Sequence, residues 1–362
     1  KNLTIDEILQ LVPEDWALII PLITSLGSAL FVIPPGIHAL TDDLVIRLED
    51  FTIDELKVIL NGADDNDGWI PAYQAFLSDG LLDNWLSALD TLSAQLWGYF
   101  GQPIHDILQK LGVEGMVFVP GAGMQLLPLH IAWRNENGGK RYLIDDYLIQ
   151  YAPSAYALSI CQDRVDERDG QDALIIGVDE YVRFPSIANA CKEALAIAKL
   201  FNTKPLLNAY ATENRVIEQS VGKSYLHFSC HGLFSWSEDP LSSALILADD
   251  NLFMLWEIIN SMDLSSARLV TLAACETAIT PIDHIPDEFV GLPAGFIQAG
   301  APGVVGSLWQ VDDVGTQLLM QHFYQQIVKG KPIPVALRDA QLWLRDYGDE
   351  GQFLHPFYWA AF

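Results

Sequence analysis

The chain has 362 residues, half of them hydrophobic and 19% charged, so it can bury a sizeable core, and its length suggests two domains. Its 20 Lys and Arg residues against 47 Asp and Glu residues give a net charge of −27. A surface this acidic repels phosphate groups, which excludes broad nucleic-acid binding and attachment to an anionic membrane. We therefore expect a basic or unstructured peptide as the partner.

The cysteine content and the hydrophobic segments indicate a cytoplasmic protein. Four cysteines in a chain of this length do not form a disulfide framework, which favours a reduced compartment. No basic segment leading into an apolar core opens the sequence, so we expect no signal peptide. Residues 16–35 are apolar enough to span a bilayer, but residues 24–27 are typical of a turn, so we expect a strand hairpin there.

The first half predicts a mixture of strands and helices. Short apolar runs predict strands at residues 17–21, 29–32, 44–48, 117–120 and 148–151. Apolar residues three and four apart predict helices at residues 51–61, 81–100 and 154–162. Thr52 fits the N-cap of the first of these helices, and Gly62 fits its end.

The second half predicts a regular alternation of strands and helices. A polar, charge-rich stretch at residues 164–172 predicts a boundary between two domains, residues 1–165 and residues 172–362. The predicted strands that follow are 173–178, 225–229, 268–274 and 303–309, and the predicted helices are 188–201, 289–299, 314–328 and 334–347. This order predicts an α/β fold whose mostly parallel sheet is covered by helices on both faces.

Two predicted strand ends carry residues that suit thiol catalysis. His231 and Gly232 follow one strand, and Cys275 follows another. Open α/β sheets place their sites at the carboxyl ends of parallel strands. There an imidazole can generate the reactive thiolate and later protonate the leaving amine. The alternative is a core histidine and a core cysteine, since free cysteines are commonly buried and inert.

Strand periodicity separates the two histidines of this segment. His227 and His231 share one face of the predicted strand, and Phe228 and Cys230 point to the other face. Only His231 lies at the end of the strand. We therefore predict His231 and Cys275 as the reactive pair and His227 as a structural residue inside the sheet layer.

These residues and several further segments resemble the CHAT family of caspase-like cysteine peptidases, which often occur with TPR repeats. The matching segments are His-Phe-Ser-Cys-His-Gly at residues 227–232, Ala-Cys-Glu-Thr at residues 274–277, and residues 291–296, 300–313, 341–344 and 355–362. Residues 126–130 and 151–154 resemble the earlier half of the family. The resemblance covers most of the chain.

The resemblance implies a fold, an activity and the residues that perform it. The fold is a three-layer caspase-like half at residues 172–362, preceded by a second caspase-like half at residues 1–165 without catalytic residues. The activity is that of a regulated bacterial cysteine endopeptidase acting on a protein substrate, with Cys275 as nucleophile and His231 as general base and acid. The N–H groups of Gly232 and Cys275 form the oxyanion hole. No third side chain that orients the imidazole is evident, and the caspase-like mechanism does not require one.

The resemblance also bears on partners. Family members commonly carry TPR repeats or other sensor modules, and none is evident in this sequence, so we expect such a region or an activating partner outside these residues. We expect no direct contact with nucleic acid or a membrane. A different possible function is a catalytically silent scaffold whose acidic surface recruits a partner. An esterase is disfavoured, because the Gly-x-Ser-x-Gly motif is missing.

Acidic residues at two predicted strand ends indicate a site for the substrate's P1 residue. Asp179 follows the strand at residues 173–178, and Asp312 and Asp313 follow the strand at residues 303–309. A desolvated carboxylate there pairs with a P1 Arg or Lys. Two alternatives stay open. Asp312 or Asp313 caps the helix that follows, or Arg183 selects an acidic P1 residue.

We expect neither a metal nor another cofactor. The acidic turn near residue 66 resembles a calcium loop, but its first and twelfth positions are Ala63 and Gln74, which are not ligands. The glycines at residues 121–123 form neither a P-loop nor a dinucleotide motif. No group of His and Cys residues has zinc-ligand spacing.

Overall fold

The computed structural model describes residues 3–63, 68–121, 123–165, 170–233, 240–273, 292–348 and 351–362. Cys275 and its motif, most of the acidic turn near residue 66 and part of the predicted domain boundary lie outside these ranges. The described residues form two compact units. The N-terminal unit ends at Ser159, and the C-terminal unit begins at Ile160.

The N-terminal unit contains a five-stranded sheet and a short hairpin. The strands are β1 (Trp16–Thr24), β2 (Gly27–Ile33), β3 (Val45–Leu48), β4 (Gly115–Phe118), β5 (Trp133–Glu136), β6 (Gly139–Tyr142) and β7 (Leu148–Tyr151). The sheet order is β3-β2-β1-β4-β7, and β5 pairs with β6. The pairs β1–β4 and β4–β7 are parallel, and β1–β2 and β2–β3 are antiparallel. The antiparallel pair β1–β2 is the hairpin predicted for residues 16–35.

Helices flank the strands of this unit along the chain, and residues of the first and the last helix pack against the five-stranded sheet. The helices are α1 (Ile5–Leu9), α2 (Ile53–Asn61), α3 (Trp69–Asp79), α4 (Leu82–Leu96), α5 (Gln102–Leu111), α6 (Leu143–Asp146) and α7 (Ala155–Val165), the last of which crosses the unit boundary. The Thr52 side chain accepts a hydrogen bond from the N–H of Glu55, and Gly62 ends the helix, as predicted for α2. One wide turn of π-helix joins α4 to α5.

The C-terminal unit is built on a parallel sheet of five strands. Its strands are β8 (Ala173–Gly177), β9 (Leu206–Leu207), β10 (Tyr225–Ser229), β11 (Gly232–Leu233), β12 (Ala244–Ile246), β13 (Leu252–Met254), β14 (Leu269–Ala273) and β15 (Val304–Gly306). The order of the parallel sheet is β15-β14-β10-β8-β9, and β11-β12-β13 form a small antiparallel sheet. Every residue of β8, β10 and β14 is buried, which explains why these strands are mostly apolar. The polar exceptions are His227, Ser229 and Thr271.

Helices cover both faces of the parallel sheet. They are α8 (Ala190–Leu200), α9 (Glu213–Ser220), α10 (Leu255–Ser261), α11 (Leu292–Gln298), α12 (Asp313–Val328), α13 (Ile333–Arg345) and α14 (Pro356–Trp359). On one face Phe228 packs against Phe296 of α11, with ring centroids 5.6 Å apart. On the other face Tyr324 of α12 bonds to Thr271 of β14. The predicted α/β fold, with a mostly parallel sheet between two helical layers, is confirmed.

The register of the central strands positions the site. Ser229 at the end of β10 pairs with Gly177 of β8 on one side and with Ala273 of β14 on the other. The chain therefore leaves all three strands at the same edge of the sheet, which is where open α/β sheets carry their sites. The division into domains at residues 1–165 and 172–362 stays a prediction.

Candidate active site

His231 lies just beyond the carboxyl end of β10, and its backbone is held on both sides. Its N–H donates to the hydroxyl of Tyr181 at 3.0 Å, and its carbonyl accepts from the N–H of Ile246 at 2.8 Å. The residue is only 5% exposed. The bond from Ile246 to the His231 carbonyl continues the pairing of β11 with β12, so the small antiparallel sheet anchors the histidine from outside the parallel sheet.

A main-chain carbonyl orients the imidazole of His231. The Nε2 atom lies 2.7 Å from the carbonyl oxygen of Pro185. A carbonyl oxygen can only accept, so Nε2 carries the hydrogen, and Nδ1 is then the basic nitrogen of the neutral ring. The rings of Tyr181 and Phe184 flank the imidazole at centroid distances of 4.7 and 6.2 Å. Inspection of the sequence missed this orienting group, because every residue has a carbonyl and no side chain marks the one that is used.

His227 lies in a different environment from His231. It is fully buried, and its Nε2 lies 2.8 Å from Oε1 of Glu193 on α8. Its ring meets the ring of Tyr324 edge to face at 5.4 Å. Cys230 is buried in the apolar core on the opposite face of the sheet. The alternation predicted for this strand is therefore present in the structure.

A cavity of about 240 Å³ opens beside the imidazole. Described residues from three segments line it: Pro185, Ser186, Ile187, His231, Gln310, Val311 and Asp313. The first three belong to the loop that orients His231, and the last three lead from β15 into α12. The acidic group in this lining is the carboxylate of Asp313.

Asp312 and Asp313 have different roles at the start of α12. Asp312 is the N-cap, and its Oδ2 accepts from the N–H of Gly315 at 2.7 Å. Asp313 is half-buried in the cavity wall, and its Oδ2 accepts from the N–H of Asn189 at 3.3 Å. Burial raises the pKa of Asp313, and the nearby carboxylates of Glu193 and Asp312 raise it further.

The other predicted site residues are placed as follows. Asp179 is not among the described residues of the cavity wall, and its Oδ1 accepts from Nδ2 of Asn208 at 2.7 Å. Arg183 bonds to Asp250. Gly232 begins β11 directly after His231 and is buried. The structure thus brings His231 and Asp313 to one cavity, and Cys275 lies outside the described residues.

Within the ranges that the structure describes, no group of three or more His, Cys, Asp or Glu residues could hold a metal ion. No helix there has the length and the apolar composition needed to cross a membrane.

Comparisons with known proteins identify relatives. Tetratricopeptide repeat protein 28 from Homo sapiens is 24% identical over 210 residues, and its Mus musculus counterpart is 23% identical over 210 residues. Each match covers 48% of this chain but only 8% of the relative's length.

Two solved structures are similar at 11% sequence identity. The crystal structure of the Arg-specific cysteine proteinase gingipain R has a TM-score of 0.46 and covers 75% of this chain and 66% of its own. The complex of Porphyromonas gingivalis RgpB pro- and mature domains has a TM-score of 0.45, and the match covers 75% of this chain and 67% of that one.

A family model matches a longer part of this chain than either tetratricopeptide repeat relative does. The model of the CHAT domain matches residues 90–362, which include all of the C-terminal unit and the last strands of the N-terminal unit. The chain belongs to the CHAT domain family.

Proposed function

We propose that this chain is a cysteine endopeptidase in which Cys275 attacks the peptide carbonyl and His231 transfers the protons. One observation carries the proposal. Ser229 pairs with Ala273 in neighbouring parallel strands, His231 lies two residues beyond Ser229, and Cys275 lies two residues beyond Ala273. His231 and Cys275 therefore follow paired residues of adjacent strands by the same number of positions, and neighbouring strands lie only about 4.8 Å apart. This relationship supports a reactive pair at the sheet edge.

The orientation of the imidazole supports a complete proton pathway. With Nε2–H bonded to the Pro185 carbonyl, Nδ1 of His231 removes the proton from the Cys275 thiol. The thiolate attacks the carbonyl carbon, and the N–H groups of Gly232 and Cys275 bind the oxyanion. The imidazolium then protonates the leaving amine, which breaks the peptide bond and leaves an acyl-enzyme. Water, deprotonated by Nδ1, releases the carboxylic acid and restores the thiol.

We assign the P1 preference to Asp313 and propose that the enzyme cleaves after Arg or Lys. The carboxylate of Asp313 lies in the wall of the cavity beside the imidazole. Its pKa is raised, chiefly by burial, so the anion is incompletely compensated, and a guanidinium or ammonium group would supply the missing positive charge. Asp312 caps α12 and adds to the negative potential, and a P1 contact by Asp179 stays a prediction.

We further propose that the peptidase acts in the cytoplasm under the control of a TPR-type region or an activating partner. The two relatives are named for tetratricopeptide repeats, and the match to each covers only 8% of its length. A reduced compartment keeps the Cys275 thiol available for attack.

The test is covalent labelling with a thiol-reactive peptide that carries Arg at P1. We expect labelling of the wild-type chain, loss of labelling in Cys275→Ala, and retained labelling in Cys161→Ala, a matched control on the half-buried helix α7. Peptides with Lys, Asp, Leu and Met at P1 establish the preference. If Cys275→Ala is labelled as strongly as the wild type, the peptidase proposal fails and the scaffold alternative is favoured.

A further inference from the structure

Asp250 lies in the turn between β12 and β13 and binds a different part of the chain. Its Oδ1 accepts from the N–H of Val182 at 3.0 Å, and its Oδ2 accepts from the N–H of Arg183 at 2.7 Å. The Arg183 side chain adds two bonds, from Nε to Oδ2 at 3.3 Å and from Nη2 to the Asp250 carbonyl at 3.0 Å. The carboxylate is almost fully buried, with 2% of the side chain exposed.

The segment that Asp250 binds is the loop that contacts His231. Tyr181 precedes Val182 and accepts the N–H of His231. Pro185 lies two residues after Arg183, and its carbonyl accepts Nε2–H of the imidazole. Asp250 therefore holds the loop between the two residues that fix the histidine. Pro185 also begins the stretch that lines one wall of the cavity beside the imidazole.

The turn that carries Asp250 is itself tied to His231. Asp249 and Asp250 both have positive φ angles, 59° and 56°. Such angles are unfavourable for most residue types and are best tolerated by Asn, Asp and Gly. The turn continues β12, whose last residue, Ile246, donates its N–H to the carbonyl of His231. A disfavoured backbone conformation persists where the surrounding contacts over-determine it, and such positions cluster at functional sites.

We propose that Asp250 is a positioning residue of the active site, which holds residues 181–187 so that the Pro185 carbonyl keeps the imidazole of His231 in its reactive orientation. The inference rests on the proposed peptidase function. It adds a residue that is 19 positions from His231 in sequence and is not among the described residues that line the cavity.

The matched pair of variants is Asp250→Asn and Asp249→Asn. Asn tolerates the positive φ angle at both positions, so backbone strain does not distinguish the two. In Asp250→Asn an NH₂ group replaces one acceptor oxygen and faces the N–H donors of the loop. Asp249 is exposed and, in the part of the chain that the structure describes, makes none of the bonds to residues 181–187.

We expect kcat of Asp250→Asn to fall by about 10- to 100-fold with KM nearly unchanged, because displacing a catalytic group by a fraction of an ångström costs rate more than binding. Asp249→Asn should retain wild-type kcat. In Arg183→Gln the backbone bonds to Asp250 remain, so its loss should be smaller than that of Asp250→Asn. Wild-type kcat in Asp250→Asn overturns the proposal, and so does an equal loss in both Asn variants.

Two measurements do not depend on activity and separate this proposal from the peptidase assignment. Amide hydrogen exchange should show protected N–H groups at Val182 and Arg183 in the wild type and faster exchange in Asp250→Asn. The NMR signal of the bonded Nε2–H of His231 should be present in the wild type and in Asp249→Asn, and lost or shifted in Asp250→Asn. Unprotected amides in the wild type, or an unchanged imidazole signal in Asp250→Asn, refute the positioning role even if the chain cleaves no peptide.

Discussion

His227 and Glu193 form a buried pair across the interface between β10 and α8, with Nε2 of the imidazole 2.8 Å from Oε1 of the carboxylate. His227 is fully buried and Glu193 is nearly so, and each group uses the other to satisfy a polar atom inside the protein. The second histidine of the same strand face, His231, bonds instead to the Pro185 carbonyl at the sheet edge. Position along one strand thus separates a structural histidine from the proposed catalytic one.

His227→Ala should lower the free energy of unfolding by about 3–5 kcal/mol, because it leaves the Glu193 carboxylate buried and unpaired. Urea denaturation measures the loss. The double variant His227→Ala/Glu193→Gln should lose less free energy of unfolding than the two single variants lose together, because the second change removes the carboxylate that the first leaves without its partner. Additive losses would show that the two residues do not act as a pair.

His231→Gln should reduce kcat/KM for peptide cleavage by at least about 10³-fold, because the general base and acid is removed. His322→Gln, a change of the same type on α12, should leave cleavage unchanged. The His231 side chain is buried between aromatic rings, so we also expect a moderate loss of stability, and melting curves should accompany the kinetics. Substantial cleavage by a folded His231→Gln protein would refute the assigned role.

Asp313→Asn should lower kcat/KM for P1 Arg and Lys peptides by about 10- to 100-fold, the usual range for losing a hydrogen bond between charged groups. The matched control is Asp312→Asn, because Asn is as good an N-cap as Asp and keeps the start of α12 intact. Cleavage after Leu or Met should change little in either variant. If both variants keep the wild-type P1 preference, Asp313 does not bind the P1 side chain.

The raised pKa of Asp313 also predicts how stability depends on pH. Between the ordinary value of 3.8 and the raised pKa, the folded protein keeps a proton that the unfolded chain has released. Stability therefore falls as the pH rises through this window, and it stays lower above the window. Asp313→Asn removes this effect, so the variant should melt at a higher temperature than the wild type at pH 7 and lose that advantage at pH 3. A variant that is less stable at pH 7 contradicts the prediction.

Gly177→Ala should destabilise the C-terminal unit by about 1–3 kcal/mol through overpacking. A Cβ at this position would lie 2.7 Å from Cβ of Ala194 and 3.1 Å from the carbonyl oxygen of Ala190, so α8 must move away from the sheet. Gly306→Ala is the control on another strand of the same sheet, because its nearest neighbour, Cγ of Pro293, is at 3.6 Å. Equal denaturation midpoints for the two variants would show that α8 adjusts without cost.

Two kinds of element were not predicted from the sequence. Helix α3 (Trp69–Asp79) begins after Gly68 without a capping side chain, although Trp69, Tyr73 and Phe76 have helical spacing and its proline lies in the first turn, where proline is tolerated. The strands of the small antiparallel sheet are two or three residues long, which is too short for alternation to be recognised. These strands nevertheless anchor His231 and carry the chain into the turn that contains Asp250.

The sequence by itself determined the family, the α/β class and the distinction between the two histidines. Periodicity and residue type are local properties, so the faces of β10 and the hairpin of residues 16–35 could be predicted without coordinates. Only the tertiary structure decided which carbonyl orients His231, which of two adjacent aspartates lines the cavity, and that Asp250 holds the loop of Pro185. The donors and acceptors of the Pro185 and Asp250 contacts are 46 to 68 residues apart in sequence, and four of these five hydrogen bonds have a main-chain group at one end. Packing of the whole sheet selects among them, and no local pattern does.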